Sequence, residues 1–252
     1  MKRFAPFALL LATSCARFPG TDGAASQFPR ITFRIQMRGN ADDRPIAGNQ
    51  YYVAIRTITD PSSPSEGAPV QVAAGIGGPG NGFVAGKPTH FVLFDPAISA
   101  LSPYRLYKFQ INPTDPDDPK NLTSFFDTSN GRGRILNFST PSGGNPNELY
   151  FELFLNQLSD TDDSANEIRY LQVNILTMNV KADGSNDNIR SWDALGDSRP
   201  GSLDVVSYLN IDVKANRIFD NRDFLEPIDD VQGRDNSPSL DIQNFSIEVT
   251  QP

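Results

Sequence analysis

The chain has 252 residues, with 22 basic and 30 acidic side chains, 20 Pro, 19 Gly, and one each of Cys, His and Trp. One Cys allows no intramolecular disulfide or thiolate zinc site, one His leaves no imidazole pair for a catalytic metal, and a net charge of −8 argues against a nucleic-acid partner. A hydrophobic content of 38% supports a folded core and is too polar for a multispanning membrane protein.

The first residues, MKRFAPFALLLATSC, join the basic pair Lys2 and Arg3 to an apolar stretch from Phe4 to Ala12, with small residues before Cys15. This is the pattern of a secretion signal, and the apolar stretch is well short of the ~20 residues a membrane-spanning helix needs. Ala12, Thr13, Ser14 and Cys15 resemble the lipobox of bacterial lipoproteins, with Ala where the box usually begins with Leu. The resemblance implies cleavage before Cys15, acylation of its sulfur by palmitate-like chains, and an extracytoplasmic protein lipid-anchored to the cell membrane or outer membrane. Ala16, where Asp marks retention at the inner membrane of enteric bacteria, favours the outer membrane by the same resemblance. The competing reading is an ordinary cleavage site with an incidental thiol. The expected organisation is a signal peptide over residues 1–14, a flexible Gly-containing tether over 15–29, and one folded domain over 30–252.

Past the tether, period-two alternation dominates. In RITFRIQM, Ile31, Phe33, Ile35 and Met37 share one face, while Arg30, Thr32, Arg34 and Gln36 share the other. Strand-like runs follow at 51–57, 70–73, 90–94, 104–111, 134–138, 148–155, 168–178, 205–213 and 240–249, separated by clusters of Pro, Gly, Asn and Asp. Helical candidates are confined to Pro96 to Leu101 and Ser191 to Leu195. The expectation is an all-β fold: a single antiparallel β-sandwich with long Gly/Pro/Asp-rich loops and at most short helices.

Several constellations invite chemistry. Gly75, Gly77 and Gly80 match the spacing of a dinucleotide loop, but the following Pro79, Gly80 and Gly82 continue a loop where a helix must open. Asp183, Ser185 and Asp187, like Asp160, Asp162 and Ser164, have the alternate spacing by which oxygen ligands converge on calcium; solvated turns account for them equally. His90 reads as an edge or surface residue with no nucleophile elbow to serve. No motif requires a cofactor.

Trp192, between polar loops, and Tyr51, Tyr52 and Tyr104, in or beside strands, offer flat faces on which a sugar could stack; core packing is the alternative. The segments ITFRIQM, YYVAIRTITDP and LYFELFLNQLSD resemble the sandwich shared by DOMON domains and family-nine carbohydrate-binding modules. That resemblance implies a β-sandwich binding a sugar or a cofactor, and carries over no ligand residue. The expected function is a membrane-tethered binding protein for a glycan or an envelope partner. An envelope glycan hydrolase using two loop carboxylates, or a purely structural envelope component, stands as the alternative.

Overall fold

The computed structural model describes residues 27–41, 49–60, 69–71, 84–94, 103–110, 123–126, 132–135, 137–141, 145–179, 191–199, 208–233 and 237–252. In chain order the strands are β1 (Arg30–Met37), β2 (Asn49–Ile58), β3 (Val70–Gln71), β4 (Val84–Ala85), β5 (His90–Phe94), β6 (Tyr104–Gln110), β7 (Thr123–Phe126), β8 (Phe138–Ser139), β9 (Glu148–Phe154), β10 (Tyr170–Asn179), β11 (Trp192–Ala194), β12 (Leu209–Asp212), β13 (Arg217–Asp220) and β14 (Ile242–Thr250). One α-helix, α1 (Asp162–Glu167), and a 3-10 turn, Leu155–Leu158, join them among the described residues. Cys15, the glycines 75–80, Asp183, Ser185 and Asp187 lie outside the described residues.

Two antiparallel sheets form the sandwich. The first runs β13-β14-β1-β9-β8, and the second runs β11-β10-β2-β5-β6-β7, with β12 also on β10; β3 and β4 pair separately. Register follows the hydrophobic alternation. β1 places Ile31, Phe33 and Ile35 opposite Leu153, Phe151 and Leu149 of β9, and opposite Val249, Ile247 and Phe245 of β14, so the inner side of these three strands is apolar. Its outer face carries charge: Arg34 lies over the Tyr150 ring at 4.5 Å and pairs with Glu148 at 3.6 Å. Pairs of this kind at a solvated surface contribute at most about 1 kcal/mol.

The second sheet is buried on both faces at its centre, β10, β2 and β5. Its inner side gives Tyr51, Val53, Ile55, Val92, Phe94, Tyr104 and Leu106 to the main core. Its outer side carries a second apolar cluster, including Tyr52, Phe91, Leu93, Phe109, Leu176 and Met178. Asn174, also fully buried, donates to the Pro69 carbonyl, which brings the residue before β3 against the buried sheet.

Aromatic rings close the gap between the sheets. Phe33 stacks on Phe151 at 4.7 Å, Phe151 meets Tyr104 at 5.3 Å, and Tyr104 meets Phe94 at 4.9 Å. The Tyr104 hydroxyl donates to the Ser139 carbonyl and accepts from the Tyr150 amide, so a residue of the second sheet satisfies backbone groups of the first.

Several expectations from the sequence are corrected. Ser191 to Leu195 is no helix: Trp192–Ala194 forms β11, because its backbone pairs with Leu176 to Met178 of β10. The one described α-helix, α1, lies instead where Thr161 and Ser164 cap each other reciprocally. His90 is neither edge nor exposed, since β5 lies between β2 and β6 in a sheet covered on both faces. The folded body also begins earlier than Arg30: Phe28 is buried in the core and Pro29 accepts from the Leu155 amide.

Beyond β1 the chain continues beside residues 238–241. The Gly39 amide donates to the Pro238 carbonyl, and a Cβ at Gly39 would stand 2.9 Å from both the carbonyl carbon and the Cβ of Pro238. Backbone on the facing side cannot retract like a flexible side-chain tip. Gly39→Ala is therefore expected to destabilise the fold by about 1–3 kcal/mol, the usual range for overpacking. An unchanged urea midpoint would show that this approach is looser than described.

Candidate metal centre

At one end of the sandwich three chain segments cross. β11 lies at the edge of the second sheet, residues 226–232 run past it, and residue 241 leads into β14 of the first sheet. The Trp192 amide donates to the Gln232 carbonyl at 2.9 Å and the Gln232 amide donates back at 2.8 Å, so the passing segment extends the ladder by one bridge. This crossing brings together four acids: Asp193 from β11, Glu226 and Asp230 from the passing segment, and Asp241 beside β14. The three aspartates are fully buried and Glu226 is 4% exposed.

Oxygens of Asp193, Asp230 and Asp241 lie within 4.8 Å of one another. Each acid is also held by backbone donors. Asp193 accepts from the Ala194 amide at 2.8 Å and, through its other oxygen, from the Ile242 amide at 2.8 Å, which links the two sheets. Asp230 accepts from Ser198, Glu226 from Gly196, and Asp241 from Asp229. Arg38 reaches Asp241 through Nε and Asp229 through Nη1, the latter at 2.7 Å. Two of the cluster's buried oxygens have no hydrogen-bond partner: Oε1 of Glu226 and Oδ1 of Asp230.

The electrostatics follow from the crowding. Burial, followed by the neighbouring Asp193 charge, pushes the Glu226 carboxyl up to about 10. Burial also pushes Asp230 up to about 6, against the Ser198 amide that favours its anion. Asp193 is raised well above the usual carboxylate range by burial and then by Asp230, although the Ile242 and Ala194 amides favour its charge. Like charges this close in a poorly solvated site either keep protons or share a cation.

Chemically the cluster is an all-oxygen donor set of the kind hard divalent cations take. It does not have the layout of a glycosidase. Two catalytic carboxyls must flank a substrate cleft about 5–9.5 Å apart, whereas these oxygens lie closer together and are shut away from solvent.

The residues nominated from sequence have other places. Tyr51 and Tyr104 are buried between the sheets, with the Tyr51 hydroxyl donating to the Ser239 carbonyl. Tyr52 is buried on the outer side of the second sheet against Phe91, at 6.0 Å between ring centroids. Only Trp192 remains partly exposed; it packs against the outer apolar cluster that holds the buried Tyr52, and precedes Asp193 in β11. Asp160 and Asp162 are exposed and are paired with Lys108 and Arg132, so these two acids do not converge on a common point. None of the four clustered acids stands out by spacing. Their one sequence signal is apolar company, since Asp193 precedes Ala194 and Leu195 and Asp241 lies between Leu240 and Ile242.

No protein-family model, curated protein or solved structure matches the chain.

Proposed function

We propose that this protein is an extracytoplasmic lipoprotein, anchored through acylated Cys15, whose β-sandwich docks an envelope protein without performing catalysis. The anchor rests on the single thiol of the chain standing at the end of a signal-like apolar stretch. Two or more acyl chains hold a protein on a membrane, where one alone is marginal.

The observation that carries the docking role is the placement of exposed apolar side chains. Ile218, Leu225 and Ile228 are 48%, 77% and 52% exposed, and all three belong to β13 and the segment that follows it. Exposed apolar residues scattered singly are ordinary, and their concentration in one segment is what supports a docking role here. A glycan platform draws less support, because Tyr51, Tyr52 and Tyr104 have their rings buried.

One experiment separates the two halves of this reading. Cells producing the wild type, Cys15→Ala or Leu225→Asp are labelled with palmitate, fractionated and treated with a crosslinker. Cys15→Ala should lose the label and leave the membrane fraction, while Leu225→Asp should keep both and lose its crosslinked partner. Retained label in Cys15→Ala removes the anchor; an unchanged crosslinking pattern in Leu225→Asp removes the docking surface.

A further inference from the structure

The geometry points to a calcium site at the crossing of β11, residues 226–232 and the start of β14, with Asp193, Asp230 and Asp241 as carboxylate ligands and Glu226 as the fourth acid beside them. It is independent of how the chain is anchored.

Charge balance is the first ground. Four buried carboxylates converge here with Arg38 as the one cation ion-paired to them among the described residues, and its guanidinium is shared with the exposed Asp229. A divalent ion offsets two of the four negative charges without adding a side chain.

The second ground is independent of the acid count. Oδ1 of Asp230 and Oε1 of Glu226 are buried with no donor, in side chains 0% and 4% exposed. A buried oxygen without a partner is costly, and native folds leave few of them. Their sister oxygens already accept from Ser198 and Gly196, which fixes both carboxylates in place and leaves one oxygen of each for another ligand.

Donor chemistry and burial select the ion. Three oxygens within 4.8 Å of one another can reach one common cation. Carboxylates fully buried in protein suit calcium better than magnesium, which gives up its waters reluctantly and is rarely held by an all-protein cage. Zinc prefers nitrogen and sulfur, and the cluster contains neither His nor Cys.

The ion has a structural consequence. Its ligands come from both sheets and from the segment that carries Leu225 and Ile228, so calcium pins that exposed segment to the end of the sandwich. Metal-free protein should hold the segment less firmly.

Trp192 supplies the readout. It is the only Trp of the chain and adjoins Asp193, so a terbium ion replacing calcium there should be sensitised by exciting one indole. Full-length protein, purified in detergent and stripped with a chelator, is titrated with terbium and then with calcium. The expected result is saturable sensitised emission that calcium displaces. Calcium at a hundredfold excess over its dissociation constant should raise the melting temperature by about 5–10 °C.

Asp230→Asn and Glu226→Gln should each weaken terbium binding about tenfold or more. Each keeps the size of the side chain and relieves like-charge crowding, so the stripped variants should melt at or above the stripped wild type. Absent emission, no thermal shift with calcium, or emission unchanged in both folded variants would overturn the assignment. The wild-type titration stands whichever variant folds.

Discussion

Phe151→Ala is expected to destabilise the fold by about 3–5 kcal/mol, the range for deleting a large aromatic from a packed core. The ring is 1% exposed and sits where the two sheets meet: Phe33 of the same sheet stacks on it at 4.7 Å with planes 12° apart, and Tyr104 of the other sheet reaches it at 5.3 Å. Removing it opens a cavity bounded by strands on both sides, and neither sheet can close the gap without breaking its own ladder. Tyr104 feels the loss most, because its hydroxyl is fixed to Ser139 and Tyr150 and cannot swing into the space. A urea titration followed by tyrosine and tryptophan fluorescence reads the change directly. Phe151→Leu, which keeps most of the volume, should cost clearly less. A loss below 1 kcal/mol for the alanine variant would mean that the sheets do not pack through this ring.

The strands legible in the sequence are those with one wet face. β1 and β14 alternate because their outer residues, such as Arg34 and Glu248, meet solvent while Phe33 and Ile247 meet the core. The pattern loses its meaning in the second sheet. There β5 is buried at all five positions and β10 at eight of ten, so His90 could not be placed from its neighbours' polarity. Short strands escaped for a different reason. β11 and β13 have three and four residues, include charged side chains, and exist because long neighbours offer an edge to pair with.

The acid cluster was hidden by separation and by chemistry. Asp193 and Asp241 lie far apart in sequence, and their proximity depends on β11 closing the edge of one sheet while β14 opens in the other. Aspartates are also what turns select, so a turn-rich acidic chain offers many false candidates, Asp160 and Asp162 among them. What distinguishes the clustered acids is the burial of their surroundings, a property of the assembled sandwich. The same assembly removed the nominated tyrosines from the surface, since β-strand aromatics fill cores as readily as they line binding faces.

The metal-free protein is expected to lose stability as pH rises from about 5.5 to 8.5, opposite to the usual behaviour of a protein held by paired carboxylates. In the fold, burial raises Glu226 to about 10, Asp230 to about 6 and Asp193 well above its usual range. In the unfolded chain the same groups ionise near pH 4. The folded state therefore binds more protons than the unfolded state above that point. Its stability contribution is complete below pH ~4, is lost for Asp230 as pH passes about 6, and continues to fall for Glu226 until about 10. Each proton retained by the fold alone lowers stability by about 1.4 kcal/mol per pH unit, or about 3–6 °C in melting temperature for a chain of this size. Asp160 and Asp220 shift the other way, lowered by Lys108 and Arg222, but their transitions finish in the acid range below this window. Melting curves in chelator across the window should fall steadily, and curves in excess calcium should be flatter, because an ion that holds the carboxylates as anions leaves no extra protons to lose. Coincident, level curves in both media would mean that these acids do not crowd one another as described.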